Sequence, residues 1–232
     1  SPRTGLAHPG DGNAVTTYVE TYTYDAVGNL QEQSHTTAEG RWRRGFSYAE
    51  PSALHPGQTS NRLSATGRAS TPVATWTDRY TYDEGGCTTT LPHLAAMSWD
   101  LGGRLASTAT QVVVAPGAVP ETTHYDYDGD GERTRLTIDR TAAMGTEPTV
   151  RAQRLYLPGL EIDRELAADG SVTLIRETLR VDTGEETLAL VQTRTFGTDA
   201  GPGTLVRHQY ANHLGSATLE LAQDADVVSY EE

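Results

Sequence analysis

A short pattern, Tyr-x-Tyr-Asp-x-x-Gly, recurs three times along this 232-residue chain, at 22–28, 80–86 and 125–131. A degenerate copy, SWDLGGRL at 98–105, has Trp in place of the second Tyr and keeps the Asp and the Gly. A pattern that returns along a chain indicates a repeated folding unit, which buries its apolar face only by pairing with its neighbours. The recurrence therefore constrains the fold more than any other feature of the sequence.

Each position of the repeat has a physical role. Two tyrosines that are two residues apart share one face of a strand, where we expect them to stack on aromatic residues of the neighbouring strand. The Asp accepts hydrogen bonds from the backbone just downstream, and the Gly supplies the positive φ that closes a turn. One repeat is therefore a strand, a turn and a returning strand. The repeat residues are Tyr22, Tyr24, Asp25 and Gly28; Tyr80, Tyr82, Asp83 and Gly86; Trp99, Asp100 and Gly103; and Tyr125, Tyr127, Asp128 and Gly131.

Short alternating runs of β-forming residues cover much of the chain, with Gly, Asp and Asn between them. This pattern predicts an all-β fold of serial antiparallel hairpins. Proline- and glycine-rich stretches at 49–61, 112–121 and 196–203 predict exposed connections, and a short helix is predicted at 142–147. Because Gly86 is followed by Cys87 where Gly-Asn is usual, we expect the repeat geometry to deviate there. The predicted strands are 16–24, 79–82, 121–127, 133–139, 153–157, 171–181, 187–196, 205–211 and 217–222.

Composition narrows the possible partners. Hydrophobic residues make up 36% of the chain and 11 residues are Tyr, which favours wide, thin sheets over a thick apolar core. The net charge is −13 and every cation is Arg, so binding to nucleic acid or to an anionic membrane is disfavoured. The single cysteine, Cys87, excludes an internal disulfide, and no apolar run reaches the length of a membrane span. We expect both ends to be cuts inside a longer protein, and we predict no signal peptide within this chain.

Several side chains could in principle bind a metal ion or act in catalysis, and each of them also has a structural explanation. The acidic stretch 126–132 imitates the first half of a calcium loop, but the position that needs a bidentate Glu is Thr137. The histidines show no metal-ligand spacing, and Cys87 with His93 lacks an orienting acid and an oxyanion hole. We therefore predict no catalytic residue, no metal site and no cofactor, and we interpret the repeat carboxylates as turn-formers.

Several stretches resemble the YD repeats of RHS-family proteins: YTYDAVGNL, SWDLGGRL and YDYDGDGERTRL. The stretch 207–232 resembles the start of the RHS-repeat-associated core, and 4–14, 48–66 and 91–100 resemble the B/C components of insecticidal toxin complexes. The matching core-motif residues are Tyr210, His213, Leu214, Gly215, Ser216 and Tyr230.

The resemblance implies a structural function. In that family the repeats wind into a curved, hollow β-shell around a toxic C-terminal cargo, which the core releases by autoproteolysis. The residues for that cleavage are expected downstream of this chain. The resemblance predicts a YD-repeat shell segment at 1–205 and a truncated core, continuous with it, at 206–232. Expected partners are other shell segments, the cargo and toxin-complex delivery components, in a secreted or extracellular assembly.

The sequence is also compatible with two other functions. Tyrosine-lined hairpins suit the faces of sugars, so a carbohydrate or cell-surface binding module is the main alternative. It requires Tyr24, Tyr82 and Tyr127 to be exposed. A hydrolase that uses the repeat carboxylates is the second alternative, which an Asp128→Asn substitution tests.

Overall fold

A computed structural model describes residues 17–52, 54–110, 117–184, 186–213 and 215–230. These residues form antiparallel β-strands and one short 3-10 helix, Val73–Thr75. Among them, no helix is long and apolar enough to cross a membrane. The chain divides into two compact units, with the boundary between residues 98 and 99.

The first unit contains strands that pair with their neighbours in chain order. A five-stranded sheet has the order β1-β2-β3-β4-β5, and β6 pairs with β7 in a separate ladder. These strands are β1 (Tyr18–Tyr24), β2 (Leu30–Thr37), β3 (Arg41–Ser47), β4 (Ala65–Arg68), β5 (Asp78–Arg79), β6 (Thr81–Tyr82), β7 (Thr88–Thr90) and β8 (Leu94–Trp99), the last of which ends at the boundary.

The second unit continues the same pattern, because β9 to β18 are hydrogen-bonded antiparallel in chain order. Strands that are adjacent in sequence pair readily, because closing a short loop between them loses little conformational entropy. These strands are β9 (Leu105–Thr110), β10 (Thr122–Tyr127), β11 (Arg133–Asp139), β12 (Val150–Leu157), β13 (Leu160–Leu166), β14 (Val172–Asp182), β15 (Thr187–Gly197), β16 (Thr204–Ala211), β17 (Ala217–Ala222) and β18 (Val227–Tyr230).

The all-β prediction is confirmed, and the predicted strands correspond to observed ones. The helix predicted at 142–147 is wrong: a turn lies there, in which the Thr146 N–H donates to the Ala143 carbonyl at 3.0 Å and Gly145 has a φ of 78°. The predicted boundary between 205 and 206 falls inside β16 and stays a prediction. Of the predicted connections, 112–116 lies outside the described residues.

The described residues form a thin core. Its buried apolar side chains are mostly small, and Trp76 is the one aromatic ring among them. Sheets built from Thr, Arg and Tyr are held by hydrogen bonds and by the aliphatic parts of polar side chains as much as by apolar burial. The buried apolar residues are Ala65, Trp76, Ala109, Leu174 and Ala189.

Candidate functional site: repeat turns and tyrosine seams

The first repeat shows how Asp and Gly close a hairpin. The Asp25 Oδ1 atom accepts hydrogen bonds from the N–H groups of Val27, at 3.0 Å, and Asn29, at 2.8 Å. The Asp25 N–H donates to the Asn29 carbonyl at 2.9 Å, and the Gly28 N–H donates to the Asp25 carbonyl at 3.2 Å. Gly28 has a φ of 91°, which a residue with a Cβ rarely adopts. The result is a three-residue hairpin loop with a glycine bulge, held by the preceding carboxylate.

The other three repeats close in the same way. In each, the Asp N–H donates to the carbonyl four residues on, and that fourth residue's N–H donates to the Asp Oδ1 atom. The closing glycines, Gly86, Gly103 and Gly131, have φ values of 91°, 73° and 89°. These turns span 83–87, 100–104 and 128–132.

The second turn carries a cysteine where the first carries an asparagine. The Cys87 N–H donates to Asp83 Oδ1 at 2.8 Å, so the backbone closes as in the first turn. In the first turn, the side-chain amide of Asn29 also donates to the Asp25 carboxylate at 2.8 Å. A cysteine has no amide group to make this bond. The flanking strands, Thr81–Tyr82 and Thr88–Thr90, are two and three residues long. The repeat therefore differs here in strand length and keeps its turn.

The turn bonds lower the pKa of aspartates that accept them. Hydrogen bonds from the N–H and the guanidinium of Arg104 hold the pKa of Asp100 below its ordinary value of 3.8, and the Gly102 N–H adds to this effect. Desolvation raises the pKa of Asp25, but the bonds from Asn29 outweigh it and the pKa is lowered overall. At neutral pH these ionised oxygens serve as acceptors for the turn.

A further turn of this geometry lies in the core motif. The Asn212 N–H donates to the Ser216 carbonyl at 2.9 Å, and the Ser216 N–H donates to Asn212 Oδ1 at 3.1 Å. Gly215 closes this turn with a φ of 78°, and Tyr210 stands two residues before the asparagine. Asn212 therefore occupies the Asp position of a repeat. A search for Asp misses this turn, although Asn offers the same acceptor oxygen.

The remaining predicted residues lie near strand ends. His213 is exposed in the Asn212 turn, and Leu214 lies outside the described residues. Tyr230 is the last residue of β18 and pairs with Leu219 of β17. Trp99, which replaces the second Tyr of the degenerate repeat, ends β8 and is half-buried.

In two of the repeats, the second tyrosine ties its hairpin to an earlier segment of the chain. The Tyr82 hydroxyl donates to the Leu63 carbonyl at 2.7 Å, and the Tyr127 hydroxyl donates to the Leu105 carbonyl at 2.9 Å. Both rings are half-buried. A hydrogen bond of this kind stabilises a fold by about 1 kcal/mol, because its groups exchange water for each other.

The first tyrosine of the same repeats reaches a buried threonine. The Tyr80 hydroxyl lies 3.2 Å from the Thr66 Oγ1 atom, and the Tyr125 hydroxyl lies 3.2 Å from the Thr108 Oγ1 atom. The two threonines are 1% and 8% exposed, so a tyrosine hydroxyl satisfies a polar atom that water scarcely reaches.

An arginine covers the ring of the second tyrosine. The guanidinium carbon of Arg62 lies 5.6 Å from the centroid of the Tyr82 ring, and that of Arg104 lies 5.1 Å from the Tyr127 ring. This distance is that of a cation–π contact. We expected aromatic partners for these tyrosines, and the structure places arginines over them.

We call this set of contacts a tyrosine seam. It joins an Arg-Leu-x-x-Thr segment, 62–66 or 104–108, to the Tyr-x-Tyr that follows it in the chain. The two Arg-Leu-x-x-Thr segments read RLSAT and RLAST, so a signal for this partner was present in the sequence. The Tyr-x-Tyr-Asp-x-x-Gly pattern does not include this segment, which comes earlier in the chain than the tyrosines it contacts.

The two seams have the same register. Ala65, two residues after the first seam leucine, pairs with Arg79, which precedes the first tyrosine of that seam. Ser107, two residues after the other leucine, pairs with His124, which again precedes the first tyrosine. Identical register at both sites shows that the seam is a repeated device.

A third, partial seam lies in the first sheet. The Tyr48 hydroxyl donates to the Leu30 carbonyl at 3.0 Å, and Glu32, two residues after that leucine, pairs with Gly45. Phe46 stands where the first tyrosine would be. The hydroxyl-to-carbonyl bond is thus the element common to all three seams.

The other candidate functions fit these contacts less well. Tyr24 is 58% exposed, as a sugar-binding ladder requires. Tyr82 and Tyr127, however, are half-buried with their hydroxyls committed to backbone carbonyls. The three rings therefore do not form one exposed sugar-binding surface.

The acidic stretch at 126–132 is occupied by internal contacts. The Asp126 carboxylate accepts a hydrogen bond from Arg135 Nε at 2.8 Å, and Asp128 Oδ1 accepts from the N–H groups of Asp130 and Glu132. Within the described ranges, no three His, Cys, Asp or Glu side chains are grouped to hold a metal ion.

Fold and seams together define an all-β repeat protein whose hairpins pair in chain order, with tyrosine seams at some of the junctions. Two toxin subunits of Yersinia entomophaga, YenC1 and YenC2, are 28% and 27% identical to it over 97% of this chain. The chain spans 22% of the length of each. No protein-family model matches it.

Solved structures share the fold. A crystal structure of TcdB2-TccC3 matches 94% of this chain and 10% of its own, with a TM-score of 0.67 at 22% identity. The Tc holotoxin pore of Photorhabdus luminescens matches 94% of this chain and 9% of its own, with a TM-score of 0.67 at 23% identity. The predicted resemblance to insecticidal toxin-complex proteins of the RHS type is confirmed by these similarities.

Proposed function

We propose that this chain is a wall segment of an RHS-type shell that keeps a toxic C-terminal cargo sequestered until delivery. The observation that carries the proposal is the series of antiparallel hairpins paired in chain order, in which two junctions carry seams of the same register. Such a series extends a sheet one hairpin at a time, because each strand pairs with the next along the chain. The similarity to toxin subunits YenC1 and YenC2 supports the same function.

In this proposal the segment has no catalytic activity of its own. The repeat carboxylates form turns, and the tyrosine hydroxyls bond to the backbone or to threonine. Cleavage that releases the cargo takes place outside this chain. The partners are neighbouring shell segments, the enclosed cargo and the delivery components of an extracellular toxin complex.

Containment is tested in the parent protein by limited proteolysis. We expect its C-terminal region to resist protease while the wall is intact, because a closed wall excludes the enzyme. The double substitution Tyr82→Phe and Tyr127→Phe removes two seam bonds and is expected to speed cleavage of that region. The matched control is Tyr18→Phe, at a tyrosine that is 62% exposed. A C-terminal region that is equally sensitive in all three proteins would contradict containment.

A further inference from the structure

Strand β1 carries the tyrosine half of a seam on an edge that pairs with no other described strand. Tyr22 and Tyr24 are 45% and 58% exposed, whereas their counterparts in the other repeats are less accessible or bonded to an earlier strand. Within the described residues, the Tyr24 hydroxyl makes no hydrogen bond, and the Tyr22 hydroxyl donates to Glu20 of its own strand. The only strand paired with β1 in that part of the chain is β2.

We propose that the open edge of β1 binds an antiparallel strand carrying Arg-Leu-x-x-Thr, through a seam like the two inside the chain. In the bound register, the Leu carbonyl accepts the Tyr24 hydroxyl and the Thr hydroxyl meets that of Tyr22. The Arg guanidinium covers the Tyr24 ring, and the residue two positions after the Leu pairs with Thr21. This inference deepens the proposed function, on which it rests, by naming the chemistry of the adjoining segment.

The internal seams supply the physical basis. Both place a leucine carbonyl within 2.9 Å of the second tyrosine hydroxyl and a threonine oxygen 3.2 Å from the first. Both also place an arginine over the second ring. Backbone hydrogen bonds along a strand edge give affinity for an extended peptide of any sequence. Side-chain contacts make the binding specific for one sequence. Tyr22 and Tyr24 offer such contacts on a side of β1 where no described strand lies.

A second copy of this chain does not supply the missing half. The sequence contains Arg-Leu-x-x-Thr twice, at 62–66 and 104–108. Both segments already hold their own tyrosine pairs, at Tyr80 with Tyr82 and at Tyr125 with Tyr127. The occupant is therefore a strand whose Arg-Leu-x-x-Thr is free, as in an adjoining repeat segment.

The test uses the 232-residue chain and a labelled peptide with the sequence of residues 102–110, GGRLASTAT. Binding is followed by fluorescence anisotropy. We expect the peptide to bind, and the substitution Tyr24→Phe to weaken it roughly threefold to tenfold, the effect of one lost hydrogen bond. Tyr22→Phe, and a peptide with Thr108→Val, should weaken it as well. Tyr18→Phe, on the same face of β1 but outside the repeat, should leave binding unchanged.

Two results would overturn the inference. One is failure of the unmodified peptide to bind at all. The other is an unchanged affinity, either when a scrambled peptide replaces the reference peptide or when the Tyr24→Phe chain replaces the unmodified chain. That result would show edge pairing with no sequence specificity. Protease protection of the cargo in the parent protein is measured independently, so loss of this inference and loss of the shell function are distinguishable.

Discussion

At the scale of single residues, one aromatic ring depends on two glycines. Gly45 of β3 and Gly67 of β4 face each other in register, and Trp76 packs over both. A Cβ built on Gly67 would lie 2.2 Å from Trp76 Cγ, and one on Gly45 would lie 2.5 Å from Trp76 Cη2. The indole N–H donates to the carbonyls of Arg68 and Thr71, so the ring is anchored at its polar end as well. The paired glycines thus form the slot for the largest buried side chain of the core.

We expect Gly67→Ala to destabilise the first unit by about 1–3 kcal/mol, because the methyl group overlaps the ring and forces Trp76 out of its slot. Urea unfolding followed by tryptophan fluorescence measures the change. The matched control is Gly40→Ala, since a Cβ there meets no atom within 4 Å. Equal stability of the two variants would contradict the proposed role of the slot.

At the scale of the element, the turn and the seam hold a hairpin in different ways. The turn is local, because its bonds join residues no more than four apart. The hydroxyl-to-carbonyl bond of the seam joins residues 18 to 22 apart. The turn therefore shapes the hairpin, and the seam adds a contact between the hairpin and the strand beside it.

The charge on the turn carboxylate makes hairpin stability depend on pH. Because the pKa of Asp100 is lowered on folding, its stabilising effect is complete above the unfolded pKa of about 3.8 and is lost as the pH falls through the folded value. We expect Asp100→Asn to lower the melting temperature at pH 7, and this difference to shrink below pH 3.8. Thermal unfolding followed by circular dichroism at several pH values measures it.

A matched substitution lies in another repeat turn. Asp130→Asn changes an acid whose carboxylate accepts no hydrogen bond from the described residues, so a similar loss at pH 7 is not expected. If Asp100→Asn and Asp130→Asn lowered the melting temperature equally, general charge rather than the turn bonds would be responsible.

At the scale of the whole molecule, chain-order pairing leaves sheet edges that have one neighbour among the described strands. These are β1, β5, β6, β7, β8 and β18. In β18, Val227 and Val228 are 41% and 42% exposed. Exposed edges promote strand addition between chains, and a lysine on such an edge opposes it. The net charge of −13 does not protect the β18 edge by itself, because backbone groups and valines line it.

We expect the isolated chain to self-associate as its concentration rises, and Val228→Lys to reduce that association. Light scattering coupled to size-exclusion chromatography measures the mass. Val27→Lys is the control, because it adds the same charge in an exposed turn, where the side chain is 70% exposed. A chain that stays monomeric and protease-resistant at every concentration would contradict the open-edge interpretation.

Residue spacing along the chain is sufficient to predict the turns. Asp25, Asp100 and Asp128 were recognisable as turn-formers because their partners lie within the next four residues, so spacing alone fixes the chemistry. The Asn212 turn was equally local, and it was missed only because Asn replaced Asp. The helix predicted at 142–147 failed because Gly145 takes a positive φ that ends any helical continuation.

The partners of the tyrosines, by contrast, depend on how the strands come together in the fold. The sequence offers Tyr82 and Tyr127 several strands, and the fold brings each hydroxyl to one leucine carbonyl and each ring beneath one arginine. Likewise, the glycine slot for Trp76 exists only once β3 and β4 are paired. Hydrogen bonds within a turn follow from the spacing of residues along the chain. Contacts across strands depend on the register of the strands, which the whole sheet determines.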